Sequence, residues 1–299
     1  MSFHSGIVAL VGRPNVGKST LLNRLVGQKV SITSRRPQTT RHRIIGIKTA
    51  PGYQIIYVDT PGLHTQGRSQ INRYLNRAAS GSLLGVDCVV VMIAASGWVD
   101  QDRVVLDAAR DQQAPVILAI NKIDMLDNRS QLLPLIEQSS RDMNLEFAEI
   151  IPLSARSGEH VAELEKAILP YLPEQPALYP EDQITDRSER FLAAELVREQ
   201  VFRSVGDEVP YSTAVAIEGF TREPKVLRIE AVIWVEKEGQ KRILIGKQGT
   251  RLKGIGTHAR LALEEQFGCR VYLGLWVKVR ENWTDDERAL RSFGFGEEG

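Results

Sequence analysis

The chain is short of almost everything that would mark it for export or for life inside a membrane. Its 299 residues hold only two cysteines, Cys88 and Cys269, too few for a disulfide framework, so a reducing compartment fits. Cys88 sits in the apolar run 88–95 and reads as a core residue. No stretch approaches the roughly 20 apolar residues that a membrane-spanning helix needs. Residues 1–11 lack a basic region followed by an apolar one, so no secretory signal is expected. The five histidines lack metal-ligand spacing, and none is read as a zinc ligand. Repeats and low-complexity tracts are also missing. A net charge of +1 excludes a globally basic or acidic chain, so any charged surface must be local. The expected location is the cytosol, with peripheral contact to the inner face of the cell membrane left open.

What is present is ordinary globular composition, 42% hydrophobic and 25% charged, in a chain long enough for two domains. Short Val- and Ile-rich runs at 6–11, 54–58, 88–95, 116–120 and 150–153 have the length and flanks of strands buried on both faces. Helical patterns separate several of them, as at 159–168, where Val161, Leu164 and Ile168 share a face. That alternation predicts an α/β domain with a mostly parallel sheet. Pro170, Pro173, Pro176 and Pro180 then interrupt both kinds of element. The expected division is a first domain over 1–172, a linker over 173–187 and a second domain over 188–299. Asp186 is expected to cap the next helix, with Glu189 bonding back.

The second half reads helix, strand, turn, strand, a Gly-Lys-Gln-Gly loop at 246–249, helix and strand. Leu252, Ile255, Ala259, Leu263 and Phe267 face inward on the second helix, and Val271, Leu273, Leu275, Val277 and Val279 on the last strand.

Three separated motifs carry chemistry. Gly12, Arg13, Pro14, Asn15, Val16, Gly17, Lys18 and Ser19 follow a buried strand and open a helix near Thr20. The glycines let backbone N–H groups close around phosphate oxygens, and the helix N-terminus adds partial positive charge. Lys18 is expected to reach the β- and γ-phosphates, and the Ser19 hydroxyl to ligate magnesium. Asp59, Thr60, Pro61 and Gly62 end the next apolar strand, placing Asp59 to hold magnesium through water and the Gly62 N–H to sense the γ-phosphate. Asn121, Lys122 and Asp124 end the 116–120 strand. The Asp124 carboxylate can accept from the N1 and N2 hydrogens of guanine, a donor pair that adenine lacks. Asn121 supports the loop, the Lys122 stem covers the base, and Ser154-Ala155 offers the Ala155 N–H to guanine O6. Each motif alone has a bland reading as a turn; together, each at a strand end, they define a GTP and GDP pocket.

The set resembles the P-loop GTPases, and its wording is similar to their ribosome-associated and tRNA-modification branch. By that resemblance Gln38, Thr39, Thr40, Arg41 and His42 form the first switch, with Thr40 preferred over Thr39 as the hydroxyl that meets magnesium. Ras-like enzymes carry, after the glycine corresponding to Gly62, a glutamine that orients the attacking water; here the residue is Leu63, which cannot. The resemblance gives Asn15 the role of helping to hold a potassium ion in place of an arginine finger. Lys18, Asn15, Thr40 and Gly62 are therefore the candidate catalytic residues, and slow, potassium-stimulated turnover is expected.

Residues 237–280 hold ten Lys or Arg against three Glu, a local excess suited to a nucleic-acid backbone. Gly246, Lys247, Gln248 and Gly249, with Arg251 and Lys253 behind them, form the candidate RNA clamp, because glycines allow close backbone approach. The element order resembles an α+β type II KH domain. Trp276, Lys278 and Arg280 share the opposite face of the last strand and are given no site role.

A P-loop GTPase half followed by a KH half resembles the Era family over nearly the whole chain, including the junction 180–191. The resemblance implies a monomeric switch with magnesium that binds small-subunit ribosomal RNA near its 3′ end and acts on small-subunit assembly. A tRNA-modification GTPase is the alternative, but it would carry a folate-type domain and a C-terminal cysteine, and neither is visible. A membrane or signalling adaptor is a third reading, against which the clustered basic loop argues.

Overall fold

The computed structural model describes residues 2–34, 36, 39–61, 70–71, 74–75, 85–142, 145–206 and 209–295. Gln38, Gly62 and Leu63 lie outside them. The chain divides into two compact units, Met1–Gln66 with Leu75–Asp186, and Gly67–Tyr74 with Arg187–Gly299.

The first unit is built on six strands: β1 (His4–Val11), β2 (Ile44–Ala50), β3 (Tyr53–Asp59), β4 (Cys88–Ala94), β5 (Val116–Asn121) and β6 (Glu149–Leu153). They lie in the order β2-β3-β1-β4-β5-β6. All neighbours are parallel except β2, which runs antiparallel to β3 at the edge. Every residue of β4 and β5 is buried, as expected for strands covered on both faces. The helices are α1 (Lys18–Val26), α2 (Asp100–Arg110), α3 (Leu132–Asp142) and α4 (Val161–Ile168). Register sets Leu10 beside Asp59 and Ala94 beside Asn121, which also pairs with Leu153. The motif-bearing loops therefore leave one end of the sheet, its carboxyl end, where open α/β sheets bind ligands.

The strand β2 has no counterpart among the runs read from sequence. Gly46 breaks its side-chain pattern, because a Cβ there would come within 2.6 Å of Leu22 on α1. The proline-rich stretch expected to be a linker is bound to the first unit. The Ser5 N–H donates to Pro173 and the Ile47 N–H to Ile184, at 3.1 and 2.8 Å. Buried Gln54 accepts from the N–H groups of Leu178 and Tyr179 and donates to the Tyr179 carbonyl. Thr185 Oγ1 donates to Ile45 O at 2.7 Å.

The second unit has a sheet of β7 (Ala214–Arg222), β8 (Leu227–Val235) and β9 (Val271–Val279). The β7–β8 pair is antiparallel and the β8–β9 pair parallel. The parallel pair needs a crossover, supplied by α6 (Glu238–Ile245), the glycine loop and α7 (Thr250–Phe267), while α5 (Glu189–Ser204) precedes the sheet. Val197, Val201, Ile229, Ile233, Ile255, Ala259, Leu263 and Val277 belong to its core. The cap of α5 is Ser188, whose hydroxyl accepts from Phe191 N at 3.2 Å; Asp186, expected in that role, lies two residues too early. A second, smaller core joins Leu290 of α8 (Glu287–Ser292) and the flanking Trp283 and Phe295 with Ile71 and Ala214.

Candidate functional site

The phosphate loop is set by backbone before any side chain acts. Gly17 has φ of 108°, and a Cβ on it would sit 2.3 Å from Asn121 Nδ2, so only glycine fits. Asn15 takes φ of 64° and Lys122 φ of 70°; Lys122 Nζ donates to the Asn15 carbonyl at 2.6 Å.

Asn121 is the hub of the pocket. Its Nδ2 donates to Val16 O at 2.7 Å, and its Oδ1 accepts from Ala155 N at 2.9 Å. One buried amide thus joins the phosphate loop to both base-side loops. Ser154 Oγ donates to Asp124 Oδ1 at 2.7 Å, which orients the carboxylate expected to read guanine.

Lys18 is buried, with Nζ donating to the carbonyls of Gly12 and Arg13 at 2.8 and 3.1 Å. Burial lowers its pKa to about 8, against the opposing pull of Asp59. Polyphosphate oxygens would add negative charge and further acceptors to the two carbonyls that this ammonium has in the protein alone.

Asp59 is buried at the end of β3. Its Oδ2 accepts from Ser19 Oγ at 2.6 Å, Ser31 Oγ at 3.0 Å and Thr40 Oγ1 at 3.4 Å. Ser19 and Thr40 also share a hydrogen bond at 2.8 Å. Burial raises the Asp59 pKa, with Lys18 and then the three hydroxyls opposing it. Among the described residues Asp59 Oδ1 is buried without a hydrogen-bond partner. A free carboxylate oxygen beside two hydroxyls is the donor set of a hard, hydrated divalent cation, so the residues fit magnesium. The Thr39 hydroxyl instead donates to Arg36 O at 2.8 Å and pairs with Ser34. Thr40, not Thr39, thus stands at the Ser19–Asp59 cluster. Thr60 Oγ1 turns back to Leu10 O at 3.3 Å, and Pro61 is buried beside it.

Three participants carry no motif signal. Ser31 joins the Asp59 cluster, Asn23 on α1 holds the Ser31 backbone, and Asp102 on α2 pairs with Arg13 Nε at 3.1 Å. Ser31 and Asp102 act through long-range contacts and Asn23 through the turn that follows α1, and none of the three belongs to a nucleotide motif.

In the second unit, Gly246 and Gly249 take φ of 73° and 76° around Gln248, itself at 51°. A Cβ on Gly246 would sit 2.8 Å from the Cβ of Arg251. Arg251 is exposed but bends its guanidinium back to the Ile243 carbonyl, which bolts the loop to α6. Among the described residues the exposed Arg242, Lys247 and Lys253 meet no carboxylate, whereas Arg260, Lys278 and Arg280 are paired with Glu264, Glu218 and Asp286. Three exposed basic side chains without a carboxylate among the described residues therefore stand about the glycine loop. Trp276 and Tyr272 are exposed on the other face of the sheet.

Comparison with known proteins agrees with both halves. Residues 7–122 match the model of a 50S ribosome-binding GTPase, and residues 208–284 that of a KH domain. GTPase Era of Coxiella burnetii is 53% identical over 98% of this chain and 99% of its own. GTPase Era of Pseudomonas aeruginosa is 51% identical over 98% of this chain and 95% of its own. Two solved structures superpose with a TM-score of 0.95 at 43% identity over 98% of this chain. One, covered over its full length, is a tyrosine-to-alanine variant of Aquifex aeolicus Era bound to GDP and AlF4−. The other, covered over 99% of its length, is Era with MgGDPNP and nucleotides 1506–1542 of 16S ribosomal RNA. With identity above half along nearly its whole length, this chain belongs to the Era family of GTPases.

Proposed function

We infer that this chain binds GTP with magnesium, hydrolyses it slowly, and uses nucleotide state to time the grip of its KH domain on small-subunit ribosomal RNA during subunit assembly. The observation that carries the nucleotide half is the meeting of Ser19, Thr40 and Asp59 oxygens beside the phosphate loop.

In this reading the backbone N–H groups of Gly12 to Thr20 cradle the phosphates, and Lys18 neutralises the β- and γ-oxygens. Ser19 and Thr40 hold magnesium directly, and Asp59 holds it through water. The ion supplies charge stabilisation to the transferring phosphoryl group. Asp124 selects guanine by two accepted hydrogen bonds, with the Lys122 stem over the base. The Ala155 N–H, which donates to Asn121 Oδ1 at 2.9 Å in the protein alone, meets O6 by sharing that bond. The Gly62 N–H senses the γ-phosphate. Leu63 cannot orient water, so intrinsic turnover is slow, and a potassium ion held with the help of Asn15 raises it. Equal steady-state hydrolysis in sodium and potassium buffers would remove that last element.

The RNA half is supported by Lys247 and Lys253, which among the described residues meet no carboxylate beside the Gly246–Gly249 loop, together with an Era relative bound to 16S ribosomal RNA. Gly246, Gln248 and Gly249 offer backbone to the sugar–phosphate chain, while Lys247, Lys253 and Arg251 offer charge. A monomeric, cytoplasmic chain with peripheral contact to the membrane's inner face belongs to the same reading, by family likeness. Among the described residues no helix is long and apolar enough to cross a membrane. Filter binding of the 3′ segment of 16S RNA, with a GTP analogue and with GDP, tests the proposal. Affinity no better than for unrelated RNA of equal length would sink it.

A further inference from the structure

We propose that Asn23 and Ser31 are positioning residues for magnesium, holding the Asp59 carboxylate in the orientation that retains the ion and, with it, the nucleotide. The proposal rests on the reading that Ser19, Thr40 and Asp59 form the magnesium site.

Three hydroxyls converge on one oxygen, Asp59 Oδ2, but they are not equivalent. A serine or threonine hydroxyl that ligates a cation turns its lone pair to the metal, and its hydrogen points away from it. Ser19 and Thr40 are themselves ligands in this reading, so their hydroxyls answer to the ion as well as to Asp59. Ser31 has no such second duty. Its Oγ stands 3.0 Å from Oδ2, and the residue is buried, so it is the side-chain donor whose place on the carboxylate does not depend on the ion. With Oδ2 so held, the partnerless Oδ1 is the oxygen left to face the ion's water.

Ser31 is itself fixed by one amide. Asn23 Nδ2 donates to Ser31 O at 2.7 Å, and Asn23 Oδ1 accepts from both Val30 N and Ser31 N at 2.9 Å. Asn23 lies on α1, one turn beyond Ser19. The same helix therefore carries the ligand hydroxyl and the clamp for the hydroxyl that orients the aspartate. A rigid element with buried second partners is how a metal site keeps its ligands aimed.

Release of a fluorescent GDP is measured across a magnesium chloride titration and again in excess EDTA, for wild type, Ser31→Ala and Asn23→Asp. Asn23→Asp keeps the acceptor for two N–H groups but sets an oxygen against Ser31 O. Both variants are expected to need about tenfold more magnesium for half-maximal retention, the lower end of the range for losing such a partner. In EDTA their release rates are expected to equal that of wild type, because only the hold of Asp59 on the ion has been touched. An unchanged half-point in Ser31→Ala overturns the proposal. So does release that quickens by the same factor in EDTA, since the pocket itself would then have loosened. Wild-type release indifferent to magnesium would remove the magnesium site, and this inference with it.

Discussion

Changing Asn121 to aspartate replaces one atom and tests the hub directly. The residue is buried, its Nδ2 lies 2.7 Å from Val16 O, and its Oδ1 receives Ala155 N at 2.9 Å. In the variant the second bond survives, but an oxygen now faces the Val16 carbonyl. A buried acceptor that loses its donor costs about 1–3 kcal/mol, and about 1.4 kcal/mol is tenfold in affinity, so GDP should bind roughly 10- to 100-fold more weakly. Burial raises the pKa of the new carboxyl, since the charged form is disfavoured. Once protonated, it donates to Val16 O as the amide did. The ratio of variant to wild-type dissociation constants should therefore shrink as pH falls from about 8 to about 5.5. Fluorescence titration with a labelled GDP at several pH values measures it. Binding within about twofold of wild type near neutral pH would refute the clamp, and a flat ratio would refute its cause.

Lys18, held down to about 8 by burial in the nucleotide-free protein, should regain an ordinary pKa against phosphate. GDP binding near pH 8 should take up roughly half a proton, read by calorimetry in buffers of differing ionisation enthalpy; no uptake would contradict it. The same depression has a stability consequence in the nucleotide-free protein. Between about 8 and 10.5 the unfolded chain binds more protons at this residue than the folded one, so its contribution to stability rises with pH there. In the KH domain, a Lys247→Glu, Lys253→Glu double variant should lower the salt slope of single-stranded RNA binding by about 1.4, two phosphate contacts at about 0.7 each. An unaltered slope in filter binding would put the clamp elsewhere. Ser188→Ala should cost about 1 kcal/mol of stability through loss of the α5 cap, visible as a lower denaturant midpoint, whereas Asp186→Ala should cost less.

Much of this architecture was legible because its determinants are local. The strands β1 and β3 to β6 announce themselves as short β-branched runs, and the pocket motifs sit where those runs end. The edge strand β2 escaped because Gly46 makes room for Leu22 and Val26, which removes the apolar residue that would have completed a pattern. The helix α6 escaped because Leu244 is its only buried residue, so no apolar stripe marks it. Asn121 reads from sequence as a support, but that its amide bridges three loops follows from registers among β1, β4, β5 and β6, and no sequence spacing encodes those. Ser31 and Asn23 lie outside every motif, and Ser31 meets Asp59 only through the fold. The preference for Thr40 over Thr39 rested on family likeness, and the geometry now gives it a physical argument: only one of two adjacent hydroxyls can turn toward Asp59.

The strap formed by residues 173–186 has a practical consequence for anyone dividing this molecule. An edge strand with free N–H and C=O groups invites pairing with another copy, and here Ile184 meets Ile47 while Thr185 meets Ile45. A fragment stopped at Leu172 would bare that edge and leave the buried Gln54 amide without its Leu178 and Tyr179 partners. It should clump at concentrations where a fragment stopped at Asp186 stays dispersed. The useful scissor point lies fourteen residues beyond the one that the prolines advertise.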